Sequence, residues 1–557
     1  MLGWLLILIV AIVTGILTLH DPVIGGDGLE YVIPLHNAWD GLGYTIYSSF
    51  PGHAPPGLGL AALPFAGLTG SIALSPFIVS WLSYVTLLLL IVAHGQQRFS
   101  ATGSGLAVAL LASLPVLYEM ASASMTESLF TLILVATFMR CLTIWHQGSS
   151  LGGWLGLALL FGFGYLVRPE MLPIGAGALL LLLLRTGVVP SGHGLRRLWG
   201  WKGPSLALIT LLLIPLAYGN WLQSHTGHFS LTGKTPQAIM KKVEQTVDKK
   251  SPLNSTDRVL SKEASTLSYF AKLESETLLN RLKLGLWQER HLLHKHLNWL
   301  PVGLLLLGFI ASMMNFRTGT LVEKRDAPSP EALFFLTPAF LFPLTVYPFY
   351  YVQSRFLIPY MAIILLACSL YAGEQLSRLF PRKANMSVAV VIGLIIGLPL
   401  LGGPFAQFEH AKNINHQARD AGLWIKQNKL GIVPEDVLST TRGEVMNFYA
   451  VGDQRPIPYN PIGMYSPLLA NGRPLPLGNS RFQWPKTARG VYCMVRGWQR
   501  NHVIVLKSRP SPPLAPLWHN PAIGRADGFT LVHQAESFQV YKLTPGPFTC
   551  PVADRTP

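Results

Sequence analysis

The sequence predicts a polytopic α-helical membrane protein that ends in a small α/β domain. Half of its 557 residues are hydrophobic and only 13% are charged, whereas an average soluble domain carries about 25% charged residues. Its mean hydropathy is +0.37. Long apolar runs recur up to residue 405, and the composition after that point becomes that of a soluble domain.

The apolar runs predict about eleven membrane-spanning helices, because each span needs about 20 mostly apolar residues. The first run follows Met1 with neither the charged segment nor a clear cleavage site of a signal peptide, so we expect an uncleaved helix. Residues 57–69 are apolar but broken by Gly and Pro, which favours the membrane interface. The spans are expected at residues 2–19, 70–93, 104–119, 127–145, 151–167, 170–186, 204–222, 298–315, 333–350, 356–374 and 386–404.

Basic residues in alternate short loops predict the orientation of the helices. Because Lys and Arg concentrate in cytoplasmic loops, we expect these loops and the amino terminus in the cytoplasm. The opposite side then receives residues 20–69, residues 223–297 and everything after Phe405. The basic residues are Arg98; Arg140; Arg185, Arg196, Arg197 and Lys202; Arg317, Lys324 and Arg325; Arg378, Arg382 and Lys383.

Two outer segments have a helical or strand pattern of their own. The second half of residues 223–297 repeats apolar residues at three- and four-residue spacing, which predicts an amphipathic helix. After Phe405 a helical repeat is followed by short apolar runs typical of strands. We therefore expect a transmembrane domain over 1–405 and an extracytoplasmic α/β domain over 406–557. The repeat comprises Ile414, Ala418, Ala421 and Ile425, and the runs are DVLST, MNFYAV, GVYCMV, HVIVLK, FTLVHQ and FQVYKL.

The distribution of charged residues narrows the range of functions that the chain can have. The net charge of +16 is weak evidence for nucleic acid, because Lys and Arg in a membrane chain set topology and meet anionic headgroups. We expect no nucleic-acid partner. Charged residues are nearly absent from the centres of the predicted spans and cluster at their outer ends. Transporters place such groups near the midplane, so the pattern favours a surface-facing enzyme with a lipid substrate.

Five sequence motifs on the predicted outer face are similar to motifs of a known protein family. Together they resemble the GT-C superfamily, integral-membrane glycosyltransferases that use polyprenyl-phosphate sugars. The nearest relatives would be lipopolysaccharide-sugar transferases, with aminoarabinose and protein O-mannosyl transferases more distant. The resemblance covers most of residues 1–405, and the C-terminal domain is similar to the periplasmic domain of many of these proteins. The motifs are GGDGLEY, HAPPGLGLAALPF, MTESLF, LVRPE and YYVQSRFLIPY.

The resemblance implies that Asp27 is the catalytic carboxylate of the first outer loop. A sugar hydroxyl is a poor nucleophile near neutral pH, and a carboxylate within hydrogen-bond reach can accept its proton. Glu30 is a second catalytic candidate. A structural alternative is a helix cap, with Asp27 as the capping residue and Glu30 at the third helical position.

The leaving group would be a polyprenyl phosphate, whose charge must be neutralised by cations. Arg168 and Arg355 are the candidates, each at an outer helix end. Either could instead reach lipid headgroups, and Arg168 could pair with Glu170. Glu170 is itself predicted at the substrate site.

Four further residues are candidates for contact with substrate. Tyr31 and Tyr350 could hydrogen-bond sugar or phosphate, although Tyr is also the usual residue of the interfacial belt. His53 precedes two prolines and could contact substrate or a metal. Glu127 lies at a helix start, where a carboxylate stabilises the helix, and it could also contact substrate.

The sequence assigns no cofactor. A divalent metal is the weaker alternative, because His20, His36 and His53 show no recognisable ligand spacing. Two of the four cysteines, Cys493 and Cys550, fall in the C-terminal domain, where an oxidising compartment would favour a disulfide.

We therefore interpret the sequence as an inverting glycosyltransferase of the bacterial inner membrane, with its active site and C-terminal domain on the periplasmic side. Its expected partners are a polyprenyl-phosphate-linked sugar donor, a cell-envelope acceptor and membrane lipids. Two other hypotheses are a lipid or polysaccharide transporter or flippase, and a non-catalytic scaffold of the same fold. The sequence does not identify the sugar or the acceptor.

Overall fold

The computed structural model has a bundle of apolar helices followed by a C-terminal α/β region. It describes residues 2–45, 54–98, 100–147, 150–188, 202–226, 229–232, 275–318, 330–349, 353–379, 386–397, 405–427, 430–439, 442–451, 487–497, 500–508, 514–526 and 528–544. The helices of the bundle are α1 (Leu2–Leu19), α2 (Gly26–Trp39), α3 (Gly57–Thr69), α4 (Ser75–Arg98), α5 (Ala101–Ala112), α6 (Pro115–Ala121), α7 (Thr126–Gln147), α8 (Leu151–Val167), α9 (Met171–Val188), α10 (Lys202–Thr226), α11 (Ser275–Leu297), α12 (Leu300–Thr318), α13 (Pro330–Leu341), α14 (Ser354–Leu379) and α15 (Met386–Gly397).

The prediction of a polytopic helical membrane protein is confirmed. Among the described residues six helices are long and apolar enough to cross a membrane, and up to eight if two bent pairs each count as one span. Shorter apolar helices, α8, α9 and α15, lie where three further spans were predicted. The described part of the chain thus has an apolar helix or bent pair at each predicted span.

Two predicted spans are not straight. Helices α5 and α6 meet at 68°, and α6 starts at Pro115, which lacks the amide proton that would continue the α5 hydrogen-bond ladder. Helices α11 and α12 meet at 73°. Asn298 separates them with φ at 51°, a left-handed conformation that asparagine adopts more readily than most residues.

Helix α14 lies at the centre of the bundle, since it is the most buried of the six candidate spans. It crosses α5 at a pair of glycines. A Cβ added at Gly373 would lie 2.2 Å from the Cα of Gly103, so only glycine permits this backbone contact. Helix α1, in contrast, exposes Leu8, Ile12 and Ile16, as expected for a helix that faces lipid.

The described C-terminal region contains helices packed on a four-stranded sheet of order β1-β2-β4-β3. Strands β1 and β2 are parallel, and β4 pairs antiparallel with both β2 and β3. The elements are α16 (Phe405–Lys426), β1 (Val437–Ser439), α17 (Gly443–Val451), α18 (Ala488–Gly497), β2 (His502–Leu506), α19 (Ala515–His519), α20 (Pro521–Ala526), β3 (Phe529–Gln534) and β4 (Phe538–Leu543).

Four of the six predicted strands are confirmed and two are wrong. The run MNFYAV belongs to helix α17, and GVYCMV belongs to helix α18. In α18 the buried residues Val491, Tyr492 and Val495 follow a helical spacing, with Val491 and Val495 four positions apart. Short apolar runs fit either a buried strand or a helix face, and the contacts made in the fold decide between them.

The C-terminal region packs directly on the segment between α1 and α2 and on α2 itself. The four residues of the predicted helical repeat in α16 are all buried, in one apolar cluster with Val23, Ile24 and Leu29. An ion pair between Asp21 and Arg419 reinforces this contact. Hydrophobic burial across the contact therefore places the middle of α16 beside the segment that leads into α2.

The cysteines differ in state. Cys493 is disulfide-bonded, whereas Cys141 and Cys368 are free and buried in the bundle. Cys550 lies outside the described residues, and its pairing with Cys493 stays a prediction.

Candidate active site

A cavity of about 650 Å³ lies between one end of the helix bundle and the C-terminal region. Its walls come from the end of α1 and the loop after it, the turn between α6 and α7, the start of α14, and the C-terminal region. These segments all belong to the face predicted to be outer. The polar residues that line the cavity include Asp21, Asp27, Gln353, Arg355, Lys412, Asn415 and Arg442.

Asp27 lies in the first turn of α2 and lines the cavity. The helix begins at Gly26 with Gly25 as its capping residue, and no side chain makes a capping hydrogen bond there. The capping-box alternative for Asp27 and Glu30 is therefore wrong. Both residues lie two positions later in the helix than a capping box requires, which would place them at the capping residue and the third helical position.

Arg355 forms an ion pair with Asp27 in this wall. Its Nη1 atom lies 2.6 Å from Asp27 Oδ2. Its Nε atom donates to Gln353 Oε1 at 2.8 Å, and its guanidinium lies over the Phe356 ring at 5.1 Å. The guanidinium is thus fixed from two sides, and it directs positive charge at the Asp27 carboxylate.

Glycines of the GGDGLEY motif allow α2 to approach the turn between α6 and α7. A Cβ added at Gly28 would lie 2.2 Å from Ser124 Oγ and 2.8 Å from the Ser124 carbonyl oxygen. The amide of Gly25 donates to Ser124 Oγ at 3.4 Å. Because Gly28 has no side chain, α2 can lie against Ser124, and this close packing sets the position of Asp27 relative to the rest of the cavity wall.

Arg168 lies in a buried polar cluster that adjoins the cavity but is not among the residues lining it. Its Nη2 atom lies 3.3 Å from Glu170 Oε1, and its Nη1 atom lies 3.8 Å from Glu127 Oε1. Tyr347 donates to Glu170 at 3.2 Å, and its hydroxyl lies 3.2 Å from that of Tyr360. The predicted pairing of Arg168 with Glu170 is therefore present.

The two predicted arginines are linked through Phe356. Its ring lies 5.2 Å from the Arg168 guanidinium carbon and 5.1 Å from that of Arg355. A cation over an aromatic ring gains electrostatic stabilisation. A single side chain at the start of α14 thus connects the cavity wall to the buried cluster.

Tyr31 lies near both the Asp27–Arg355 ion pair and the buried cluster around Arg168. Burial raises the pKa of the Tyr31 hydroxyl, and the nearby Glu127 carboxylate raises that pKa further. Glu30, on the same helix, is half-buried and does not line the cavity among the described residues. The predicted site residues His53 and Tyr350 lie outside the described residues.

No group of three or more His, Cys, Asp or Glu residues that could hold a metal ion occurs among the described residues. His36 is buried within α2, and His20 lies one residue beyond the end of α1.

Sequence reasoning missed the contribution of the C-terminal region to the cavity. Lys412, Asn415 and Arg442 line it together with Asp27 and Arg355. No local motif marked these residues, because they reach the cavity only through the packing of the C-terminal region on residues 21–29. The backbone of Arg442 marks this position in the structure. Its φ is 53°, a left-handed conformation that is uncommon outside glycine and often occurs at functional sites.

Comparison with known proteins gives one family and several solved structures. The family described as dolichyl-phosphate-mannose-protein mannosyltransferase matches residues 53–218. ArnT from Cupriavidus metallidurans in the apo state is 12% identical, with a TM-score of 0.52 over 97% of this chain and 98% of that chain. The Archaeoglobus fulgidus oligosaccharyltransferase in the apo form is 13% identical, with a TM-score of 0.50 over 90% of this chain and 69% of that chain. No curated protein matches the chain significantly.

The fold is that of the GT-C membrane glycosyltransferases, and the resemblance predicted from the five motifs is confirmed. More particularly, the chain has an ArnT-like fold over nearly its whole length. At 12% identity this likeness establishes the fold, and the reaction must be inferred from the site itself.

Proposed function

We propose that the protein transfers a sugar from a polyprenyl-phosphate donor to a cell-envelope acceptor, with inversion at the anomeric carbon. The observation that carries this proposal is the Asp27–Arg355 ion pair in the wall of the large cavity. A carboxylate and a guanidinium are the groups that base-assisted attack and phosphate departure require. The matching mannosyltransferase family, described by its dolichyl-phosphate donor, supports a polyprenyl-phosphate donor here.

The proposed reaction is a single displacement. An acceptor hydroxyl oxygen attacks the anomeric carbon and forms the new glycosidic bond, while the bond from that carbon to the phosphate oxygen breaks. The bonding electron pair leaves with the polyprenyl phosphate, and the hydroxyl proton passes to the Asp27 carboxylate. Attack opposite to the leaving group inverts the anomeric configuration.

Arg355 would link donor binding to activation of the base. Its Nη1 and Nε atoms contact Asp27 and Gln353, and guanidinium has five N–H donors in all. A donor phosphate can therefore bind the remaining donors and compete with Asp27 for the positive charge. A carboxylate relieved of its paired cation becomes a stronger proton acceptor, so Asp27 gains basicity only when donor is bound.

The other predicted site residues receive supporting roles. Arg168, Glu127 and Glu170 form the buried cluster behind the cavity, and we assign them to positioning α14 and thereby Arg355. A hydrogen bond from Tyr31 to substrate stays a prediction, because Tyr31 is not among the described residues that line the cavity. Contacts of Glu30, His53 and Tyr350 with substrate stay predictions.

The same proposal places residues 1–405 in a catalytic membrane domain and residues 406–557 in a periplasmic domain of the bacterial inner membrane. The basic short loops support this orientation. An alkaline phosphatase fused after Val451 is expected to be active. An inactive fusion there, with a fluorescent cytoplasmic reporter at the same point, would reverse the orientation.

The proposed reaction is tested with purified protein, a polyprenyl-phosphate sugar labelled in the sugar, and envelope lipids. The expected result is a labelled glycosylated product together with an equal amount of released polyprenyl phosphate. The transporter hypothesis expects intact donor to cross a vesicle membrane with no bond broken. Intact donor after long incubation with fully folded protein would therefore contradict the proposal.

A further inference from the structure

We propose that the exposed side of α11 is a docking surface for the head groups of anionic phospholipids on the predicted outer face of the membrane. Such a surface would exist whether or not the chain transfers sugar. The direction of α11, the side of the helix that is turned away from the bundle, and the residues of that side all point to it.

Helix α11 runs close to the plane of the membrane. It meets α12 at 73°, and α12 lies at a predicted span and exposes apolar residues such as Leu306, Phe309 and Ile310. If α12 has a tilt of about 20°, the average for transmembrane helices, α11 is inclined to the membrane plane by at most about 40°. Trp299, exposed at the junction of the two helices, is typical of the level where a bilayer meets water.

The contacts of α11 with the bundle determine which of its sides is exposed. A Cβ added at Gly285 would lie 2.2 Å from the Cα of Pro348, so this side of the helix packs directly on backbone. Arg281 and Glu289, each four positions from Gly285, are also buried. Because residues four positions apart share one side of a helix, this side faces the bundle and the opposite side is left exposed.

The exposed side combines cations with apolar side chains. Lys283 and Arg290 are exposed, and neither forms an ion pair within the part of the chain that the structure describes. Trp287 has 63% of its surface exposed and stacks on His291, and Leu286 is exposed beside it. Lys and Arg beside Trp and Leu are the composition of helices that lie in the membrane interface.

The charge of this side favours an anionic lipid over a zwitterionic one. The exposed side chains described on α11 include Lys283, Arg290 and Lys295, against the single carboxylate of Glu276. Lys295 acts on the nearby carboxylate of Glu119, so Lys283 and Arg290 are the cations that we assign to lipid. Each Lys or Arg beside an anionic bilayer strengthens the attachment about fivefold.

Acetylation of lysines in the unaltered protein tests this surface without an assay of sugar transfer. The full chain is placed in nanodiscs of phosphatidylcholine with or without added phosphatidylglycerol, and acetylation of each lysine is quantified by mass spectrometry. An anionic bilayer concentrates protons about threefold at physiological salt, so the reactive neutral amine of Lys283 becomes scarcer and its acetylation should slow about threefold. Lys542, exposed on β4, is the control and should not change.

Four results of this experiment would contradict the proposal. The first two are an unchanged rate at Lys283 and an equal slowing at Lys542. Inorganic phosphate that slows acetylation of Lys283 as strongly at constant ionic strength would indicate a site for a soluble anion. Acetylation of Lys283 that is much slower than that of Lys542 in both lipids would indicate that another part of the chain, such as residues 233–274, covers this side of α11.

A matched pair of variants gives a second measurement. Lys283→Gln combined with Arg290→Gln should weaken binding of phosphatidylglycerol at least about fivefold, measured by native mass spectrometry, and should leave binding of phosphatidylcholine unchanged. Arg496→Gln combined with Lys542→Gln is the control, because it removes the same charge from exposed positions of the C-terminal region. Unchanged binding in the first variant, or equal weakening in both, would remove the anionic lipid from α11.

Discussion

Arg355 Nη1 lies 2.6 Å from Asp27 Oδ2, which joins two residues 328 positions apart in the chain. The pair connects α2 to α14, the most buried of the candidate spans among the described residues. Each partner lines the same cavity, so the ion pair is where the catalytic carboxylate and the phosphate-binding cation of the proposed reaction meet.

Substitution of Arg355 should weaken binding of the donor. Arg355→Ala is expected to raise the Kd for polyprenyl phosphate at least about tenfold, since hydrogen bonds to charged groups contribute about 1.5–3 kcal/mol. Arg355→Lys should recover only part of the affinity, because an ammonium lacks the forked geometry of guanidinium. Binding of polyprenyl phosphate to the purified variants is the measurement.

Arg378→Ala is the matched control for these variants. Arg378 lies at the other end of the same helix and pairs with Glu374. Its loss should leave the Kd for polyprenyl phosphate unchanged. Equal weakening in the two alanine variants would indicate a general effect of charge and would remove Arg355 from the donor site.

Gly28→Ala should both destabilise the protein and slow transfer. The new methyl group would meet Ser124 Oγ and the backbone of the same residue, and forcing extra volume into a packed contact costs about 1–3 kcal/mol. Thermal unfolding and the transfer rate are the two measurements. In Gly67→Ala, the control on α3, a Cβ would meet nothing within 4 Å, and no loss is expected.

The sequence predicted the membrane bundle because long apolar runs with charges at their ends admit few other structures. Asp27 and Arg355 were found through motifs near the starts of two helices. The helices α17 and α18 were predicted as strands, since short apolar runs carry no decisive period. Lys412 and Arg442 were missed because only the packing of the C-terminal region on residues 21–29 brings them to the cavity.

Acidification should weaken the contact of the C-terminal region with the segment between α1 and α2. Burial alone would raise the pKa of Asp21, but the hydrogen bond and charge of Arg419, with smaller effects of His416 and Lys412, hold it below its usual value. Because the pKa of Asp21 is lower in the folded protein than in the unfolded chain, the ion pair stabilises the protein at pH values above the ordinary Asp pKa of about 3.9. This stabilisation is lost as the pH falls through the lower pKa of the folded protein. The side chain is half-exposed, so the contribution is about 0–1 kcal/mol.

Thermal unfolding between about pH 5 and pH 3 measures this contribution. Asp21→Asn should lower stability at pH 5 and reduce the loss on acidification. The control is Asp420→Asn, since Asp420 contacts Arg419 within the same helix and does not join the two regions. An unchanged pH dependence in Asp21→Asn would show that the ion pair does not stabilise the contact.

The central claim is that Asp27 accepts the proton of the acceptor hydroxyl, and the transfer rate of Asp27→Asn tests it most directly. Asparagine keeps the size of the side chain but cannot act as the base. The proposal predicts a rate lower by about 10²–10⁴, with normal expression and with polyprenyl phosphate still bound. A well-folded Asp27→Asn protein that transfers sugar at a near-normal rate would contradict the proposal.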